Sequence, residues 1–568
     1  MVDILTDTGV FLNLDPNAEF EITIENPLLQ DDRIPVPFST AIAFLATPTN
    51  KAVFGYLDTM MLEPTVKQLG ASILVGGVQL YVGTLEYDSL DEDGRINYTF
   101  SGKDMKTEWN GKIWETAGLA WNYESGYTYD SFLAALKADE IPGLHLPPVV
   151  DASLVGEPGF RAAPTNTRPP KSQINYNQKY RNQPDTDSLR EIIPAIELGR
   201  ILGNVVSMGE MPDLSDFLQK VVLFGTNWSV GWPATRQPYF SYDAAKTLPD
   251  ITLADLLMDV CRMMCGAVFQ DGIGFRMLPA SNVLNANAPL DWDSKVSDVF
   301  RSSKEEKSGY ELSFEQDSSS SERNSDVVSS EPATLCGVLS SARDDYDAVK
   351  HQTLEDLFSL KKAENVQINK EGSHPGSIEM IGIAEEVLID RCDRAGAIQE
   401  AEGTEETKSV SIGLHLVKCA PVRRYWLQAP NVGPLVSDVR MAAILQLPAS
   451  GAERPKEAYI AIYGNGQVCD KGVVIANPDS ASSADQTIGD SLAPTALFDR
   501  YHQAYAAWLA KDRQLLTVGL DLSVMELAAF RMWQAVRVRS RNFLVAKLSI
   551  RVSAIASGVD VSADLISL

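Results

Sequence analysis

The chain has 568 residues, 45% of them hydrophobic, and a formal net charge of −27. Such a length holds roughly three to five domains, and the apolar fraction argues against bulk disorder. A surface this acidic repels phosphate and argues against nucleic-acid binding through a basic footprint. It serves solubility, and it also suits a channel through which DNA passes without sticking.

The six cysteines, Cys261, Cys265, Cys336, Cys392, Cys419 and Cys469, are scattered and contain no CxxC spacing. They read as reduced, mostly buried thiols of a protein folded in a cytoplasm, not as a disulfide scaffold or a zinc site. No charged-then-apolar leader opens the chain, and no apolar run reaches the length of a membrane span, so membrane insertion is not expected.

Residues 1–60 read mostly as β. Glu19–Glu25, EFEITIE, puts Phe20, Ile22 and Ile24 on one face and mainly acids on the other, as a half-exposed antiparallel strand does. Phe38–Phe44 follows Pro35 and Pro37; Thr47–Asn50 reads as a turn and Ala52–Leu57 as a further strand. The clearest stretch is Ser72–Gly102, SILVGGVQLYVGTLEYDSLDEDGRINYTFSG. Gly76-Gly77 supplies the positive φ angles of a two-residue hairpin turn. Val78, Leu80 and Val82 share a face, the parity slips after Gly83 to Leu85 and Tyr87, and a bulge or sharp bend at that glycine is the expected cause. Asp93-Gly94 gives the next turn, before Ile96, Tyr98 and Phe100. The result is a three-stranded meander.

Trp109, Trp114 and Trp121 cluster in the next segment as core or interface anchors; a sugar-binding platform is the alternative. Asp130–Ala138 reads as a short helix with Phe132, Leu133 and Leu136 inward. From Pro142 to Pro184 the chain is rich in Pro, Asn and Gln and more basic than its surroundings, through Arg168, Lys171, Lys179 and Arg181. It reads as a long connection that is either a linker or an arm across a neighbouring subunit.

Asp213–Phe224 predicts a helix. A second helix starts after Thr252, which has Asp255 at capping-box spacing, and carries Leu253, Leu256, Leu257, Val260 and Met264 as its stripe, with Gly266 as its stop. Ala267–Gln270, the Asp271-Gly272 turn and Ile273–Leu278 then make a hairpin. GYELSFEQ, from Gly309, is strand-like, Asp317–Asp326 is a solvated loop tip, Thr353–Leu360 is helical, Ile381–Ile389 is apolar and fits strand or helix, and Glu400–Glu406 is an acidic loop. Lys408–Lys418 alternates as a strand. A hairpin spans Ile460–Val474, a helix Ala493–Asp512, and strands Leu515–Ser523, Ala535–Arg539, Phe543–Ser553 and Val559–Ile566. Arg537, Arg539 and Arg541 sit at period two and on one strand would share a face, joined by Arg551 in a basic patch that is either solvated or set against an acidic neighbour.

Three stretches, Ser72–Gly102, Ile251–Pro279 (ITLADLLMDVCRMMCGAVFQDGIGFRMLP) and Asn542–Leu568 (NFLVAKLSIRVSAIASGVDVSADLISL), resemble phage tail hub proteins, the baseplate or tail-tip hubs. They cover a minority of the chain. The resemblance implies an α+β, mainly β chain: two tube-like antiparallel β domains with an α/β domain and long connections. The expected divisions are a tube-like domain over 1–105, a connecting region over 106–200, a helix-plus-hairpin domain over 201–300, a mixed domain of unassigned role over 301–490 and a second tube-like domain over 491–568. It implies a homotrimer in the virion tail, assembled in the bacterial host cytoplasm. The partners it implies are a tail tube protein, a spike or tail-tip protein and a tape measure protein, with a conduit for DNA but no specific nucleic-acid binding.

The chain lacks HExxH, GxSxG and GxxxxGK[ST] motifs, and the GxG at Gly272 and Gly274 falls inside a hairpin. The five histidines, His145, His351, His374, His415 and His502, are far apart. His415 and Cys419 share a face of an alternating strand but stand roughly 13 Å apart by strand rise, too far to act together. Carboxylates are so abundant that a glycosidase-type pair has no specified position. No catalytic, cofactor-binding or metal-ligating residue is therefore expected, and no enzymatic activity. Two further readings stay open: a carbohydrate- or receptor-binding tail or surface protein using the tryptophans, and a cell-wall hydrolase with an unlocated carboxylate pair.

Overall fold

The structure, a computed structural model, describes residues 2–568 apart from 31–33, 56–63, 92, 103–108, 117, 123, 148, 152–192, 204–211, 226–233, 236–239, 272–273, 286–288, 315–332, 341–379, 390–396, 402–403, 405, 429–434, 446–452, 465–466, 470–472, 475–485, 488–489 and 555–558. The expected loop tip at 317–326 and helix at 353–360 lie outside the described residues, as does most of the Pro- and Asn-rich connection.

The chain is α+β and mainly β. Its N-terminal strands are Val2–Thr6 (β1), Phe11–Leu12 (β2), Glu19–Glu25 (β3), Phe38–Ser39 (β4) and Ile42–Phe44 (β5). Thr47–Phe54, expected as turn then strand, is instead a capped helix, Pro48–Phe54 (α1). The Thr47 side chain accepts from the Asn50 N–H, Pro48 sits at the first helical turn, and Gly55 closes the helix at φ 71°. Ser/Thr-Pro is as good a helix start as a turn, because proline has no backbone N–H and the first helical position needs none.

The meander forms as its alternation predicts, from Gln68–Val75 (β6), Val78–Leu90 (β7) and Ile96–Gly102 (β8). Val75 faces Val78 across Gly76 and Gly77, both at positive φ. The bulge is not at Gly83, however. Register shifts fall between Ile73 and Leu74 of β6, where Leu80 of β7 is skipped, and between Tyr87 and Ser89 of β7, where Asp88 is skipped. Gly83 is needed for a different reason: a Cβ there would run into the Ser101 carbonyl.

The middle of the chain packs helices on small sheets. Tyr129–Lys137 (α2) is capped by Thr128 and buries Phe132, Leu133 and Leu136. Asp213–Phe224 divides: Pro212–Lys220 (α3) is helical, but Val221–Phe224 (β9) is a strand buried at every position. A β-branched apolar run with no polar face fits a central strand better than a surface helix. Leu253–Met263 (α4) carries the Thr252–Asp255 capping box, and its apolar stripe is buried. Cys265 at φ 45°, not Gly266, takes the left-handed position after this helix. Gly266–Asp271 (β10) and Gly274–Pro279 (β11) pair from Gly266 opposite Pro279 to Asp271 opposite Gly274. The expected Lys408–Lys418 strand is interrupted, running as Thr407–Ile412 and then His415–Leu416. Between residues 330 and 450, Ala333–Ser340, Met380–Ile389, Lys418–Gln428 and Leu435–Leu445 build an antiparallel sheet that Val149–Asp151 joins in parallel.

The C-terminal strands are Leu290–Asp291 (β12), Val296–Glu305 (β13), Arg513–Leu520 (β14), Ala535–Val538 (β15), Arg541–Ser553 (β16) and Val559–Ser567 (β17), with Val524–Ala529 (α5) between β14 and β15. The helix expected over Ala493–Asp512 starts at Pro494, passes through one π turn at Phe498–His502 and ends at Leu509. Arg537, Arg539 and Arg541 do not share a face. Arg537 lies in β15, Arg539 and Ser540 form the turn at φ 49° and 62°, and Arg541 opens β16.

These strands repeat one plan. In the first unit the hydrogen-bonded order is β3, β4, β8, β7, β6, β1, with β5 beside β4 on β8 and α1 preceding β6. In the second it is β13, β14, β17, β16, β15, β12, with α5 preceding β15. The two central strands, β7 and β16, are both 13 residues long. The units differ at the end: β1 runs antiparallel to β6, whereas β12 runs parallel to β15. The first strand of one unit, β3, pairs antiparallel with the fourth strand of the other, β16, so both belong to one 14-stranded sheet.

Candidate functional site

The seam between β3 and β16 has a buried side and an open side, as strand alternation requires. Phe20 and Ile22 of β3, with Leu548, Ile550 and Val552 of β16, turn inward and are buried. Each contributes about 1.5–3 kcal/mol by leaving water, which is enough to hold two units as one body. Behind them the α4–hairpin unit closes the core: Phe269 meets Trp533 edge-on at 5.6 Å, and Arg276 lies over the Trp533 ring at 5.4 Å.

The other side is mainly small and polar, with Phe38 standing 44% exposed in it and Thr23 buried at 6%. One transverse row runs Gly70, Thr84, Ser101, Phe38, Thr23, Ser549, Ser562, Gly519, Asp298, each opposite the next. Beside it lie charge ladders in which each base sits between two acids. Arg551 faces Glu21 on one side and Asp560 on the other, and Lys547 faces Glu25 and Asp564. Opposite charges across a ladder favour this register, and the surplus of acid leaves the face negative. A groove of about 380 Å³ follows the row over Glu21, Ser549, Arg551, Asp560, Ser562 and Phe300. Its lining offers hydroxyls and alternating charge but no deep apolar pocket, so it suits sliding or surface contact better than capture of a small molecule.

The other sequence-marked residues fall elsewhere. Trp109 and Trp121 are buried, at 3% and 9% exposure. Trp114 is half-buried under Arg454, 4.5 Å from its ring centre, and its Nε1 donates to Asp250 at 3.2 Å. These are core and packing anchors, and a stacking platform for sugars is not what they form. Cys261, Cys265 and Cys469 are buried, and burial pushes the Cys261 thiol up to about 12. Cys336, Cys392 and Cys419 have no described side chains. His415 lies on the short strand His415–Leu416 and Cys419 on the next, Lys418–Gln428, so the two do not share one strand. His351 and His374 lie outside the described residues.

Two histidines have built surroundings that the sequence did not signal. His145 lies between Asp139, at 2.7 Å from Nδ1, and Glu197, at 3.1 Å from Nε2, and stacks on Tyr463. Burial opposes its charge, but the two carboxylates outweigh burial and raise its pKa. Tyr463 donates to the same Asp139, whose carboxyl is held low despite partial burial. His502, in the π turn, is fully buried, with Nδ1 at 2.7 Å from the Tyr310 hydroxyl and Nε2 at 3.1 Å from the Met263 carbonyl. Burial drops its pKa to about 4. Both arrangements join distant segments, and neither presents a histidine beside an open nucleophile. Among the described residues, no group of three or more His, Cys, Asp and Glu could hold a metal ion.

The seam itself was missed in the sequence. A signal existed, in that EFEITIE carries acids where VAKLSIRVS carries Lys547 and Arg551, but nothing local says that segments some 500 residues apart pair.

No protein-family model matches this chain, and no curated protein does. Among solved structures, a 43 kDa tail protein of prophage MuSo2 from Shewanella oneidensis aligns over 100% of this chain and 98% of its own, at 9% identity and a TM-score of 0.33. The tail protein from Neisseria meningitidis MC58 aligns over 100% and 96%, at 8% identity and the same score. At that identity and score neither likeness is an argument for a shared fold.

Proposed function

We propose that this chain is a structural component of a phage or phage-like tail, and specifically its hub. Three copies form a ring that joins a six-fold tail tube to a three-fold spike or tip and surrounds the conduit for the tape measure protein and DNA. The observation that carries the reading is the repeated strand plan. Two units per chain, set side by side in one sheet by β3 and β16, give six similar units in a ring of three chains. That is the geometry a joint between six-fold and three-fold partners needs. The sequence resemblance in Ser72–Gly102 and Asn542–Leu568 falls on the central strands of these two units. The small, polar, net-acidic face supports a role in passing an acidic polymer without holding it.

The role is mechanical rather than catalytic: on this face of the seam each base stands in register between two acids. The carbohydrate-binding reading has lost its motivating feature, since two of its three tryptophans are buried.

The first test is solution mass by light scattering after size exclusion at low micromolar protein. A trimer of the 62.1 kDa chain, followed by images of a ring with an axial hole, is the expected result. A monomer at every concentration, alone and with tail tube protein added, would overturn it.

A further inference from the structure

The within-chain seam is a head-to-tail contact: the first strand of one unit lies along the fourth strand of the other. Such a contact is not self-complementary. It leaves the second partner of each pair unused, and it repeats until it closes. In this chain the unused partners are β13, the first strand of the second unit, and β7, the fourth strand of the first. Among the described residues β13 pairs only with β14, so the other edge of this 10-residue strand is open, and Phe300 on it is 64% exposed. On β16, β15 reaches only to Leu544, and β3 occupies Lys547–Ser553 beyond it. On β7, β6 ends its pairing opposite Glu86, with one further bond from the Tyr87 N–H to the Lys67 carbonyl. The corresponding stretch, Asp88–Leu90, therefore carries no β6 partner, and Leu90 is exposed.

Charge separates the right partner from the wrong one. β3 is acidic, through Glu19, Glu21 and Glu25, and meets basic Lys547 and Arg551 on β16. The end of β7 is acidic instead, with Glu86, Asp88 and Asp91, so it would repel a second β3. β13 carries Arg301 and Lys304 along with Asp298 and Glu305, and two of these four are already matched within the chain: Lys304 to Asp512 and Glu305 to Arg513.

We infer that the open edge of β13 docks on the Asp88–Leu90 end of β7 in a second copy of this chain, repeating between chains the β3–β16 contact within the chain. The inference rests on the ring proposed above and names the surfaces that close it. Exposed strand edges are adhesive, and Phe300 and Leu90 supply the apolar contact of this one.

The test mixes two full-length single variants, Leu90→Cys and Phe300→Cys, and treats them with a short bis-maleimide, with the unsubstituted chain as background. Both positions are exposed, so both variants should fold. The expected result is a two-chain adduct formed only in the mixture, and closed multi-chain adducts from the double variant. Adding Arg301→Glu to the Phe300→Cys chain should lower the yield several-fold. If light scattering finds an oligomer but no adduct exceeds background, the β13–β7 contact is overturned and the ring reading survives. If every sample is monomeric and unlinked, both fall.

Discussion

The side-chain amide of Asn26 donates to the backbone carbonyls of Met532, at 2.9 Å, and Val545, at 2.8 Å, across sequence separations of 506 and 519 residues. Its Oδ1 accepts from the Leu28 N–H at 3.0 Å, and its own N–H donates to the Ala546 carbonyl. A fully buried amide with both donors and its acceptor engaged clasps the end of β3 to the second unit. Removing it leaves two carbonyls unpaired at about 1–3 kcal/mol each. Asn26→Ala should therefore lower the unfolding midpoint by an amount matching roughly 2–6 kcal/mol. Limited proteolysis should then cut near residues 25–35 before the core of either unit. A variant with unchanged stability would show that these hydrogen bonds do not hold the two units together.

Gly83 offers a test of the meander. With no bulge there, its need for glycine comes from the Ser101 carbonyl and the Phe100 ring, which would meet any Cβ. Gly83→Ala should cost at the upper end of the ordinary single-substitution range, about 3 kcal/mol, by chemical denaturation. Gly76→Ala also meets strain, through its φ of 57°, but has open space around it and should cost only about 1 kcal/mol.

The two engaged histidines give stability opposite pH dependences. His502 has its folded pKa lowered to about 4 from 6.5, so the unfolded chain binds the proton first. Its contribution is complete above pH 6.5 and is lost as pH falls towards 4, up to about 3 kcal/mol in all. His145 is raised, so its contribution is complete below pH 6.5 and fades as pH rises through the folded value. Melting temperature measured from pH 4 to 8 should fall on the acid side, and His502→Gln should flatten that limb. His145→Gln should leave the acid limb in place and flatten any loss near neutrality.

Tyr242 is buried with no hydrogen-bond partner for its hydroxyl among the described residues, packed between Trp121 and Phe132. An unpaired buried hydroxyl is a cost, so Tyr242→Phe should be neutral or stabilising by about 1 kcal/mol in a thermal melt. A loss of more than that would mean that the hydroxyl has a partner.

What could be read from the sequence was what is decided within a dozen residues. Alternation and Gly76-Gly77 fixed the meander, and Thr252 with Asp255 fixed the start of α4. Errors arose where one local pattern permits two outcomes. Thr47-Pro48 starts turns and helices alike, and the run at Val221–Phe224 becomes a strand only because Ala195–Glu197 and Tyr459–Gly464 flank it. Arg539 and Ser540 turn at positive φ without glycine or asparagine, so period-two arginines were split between two strands. The seam lay beyond any local rule, because the pairing of Glu21 with Arg551 is specified by tertiary closure alone.

That closure also sets an order of events on the ribosome. β3 is made at the start of synthesis and its partner β16 near the end, more than 500 residues later. At roughly 5–20 residues per second the nascent chain waits on the order of half a minute or more with β3 lacking one neighbour. An unpaired strand is adhesive, and neighbouring ribosomes on one message hold many copies of it close together. Glu19, Glu21 and Glu25 then act as a guard: identical strands repel one another until a strand bearing Lys547 and Arg551 emerges to neutralise them.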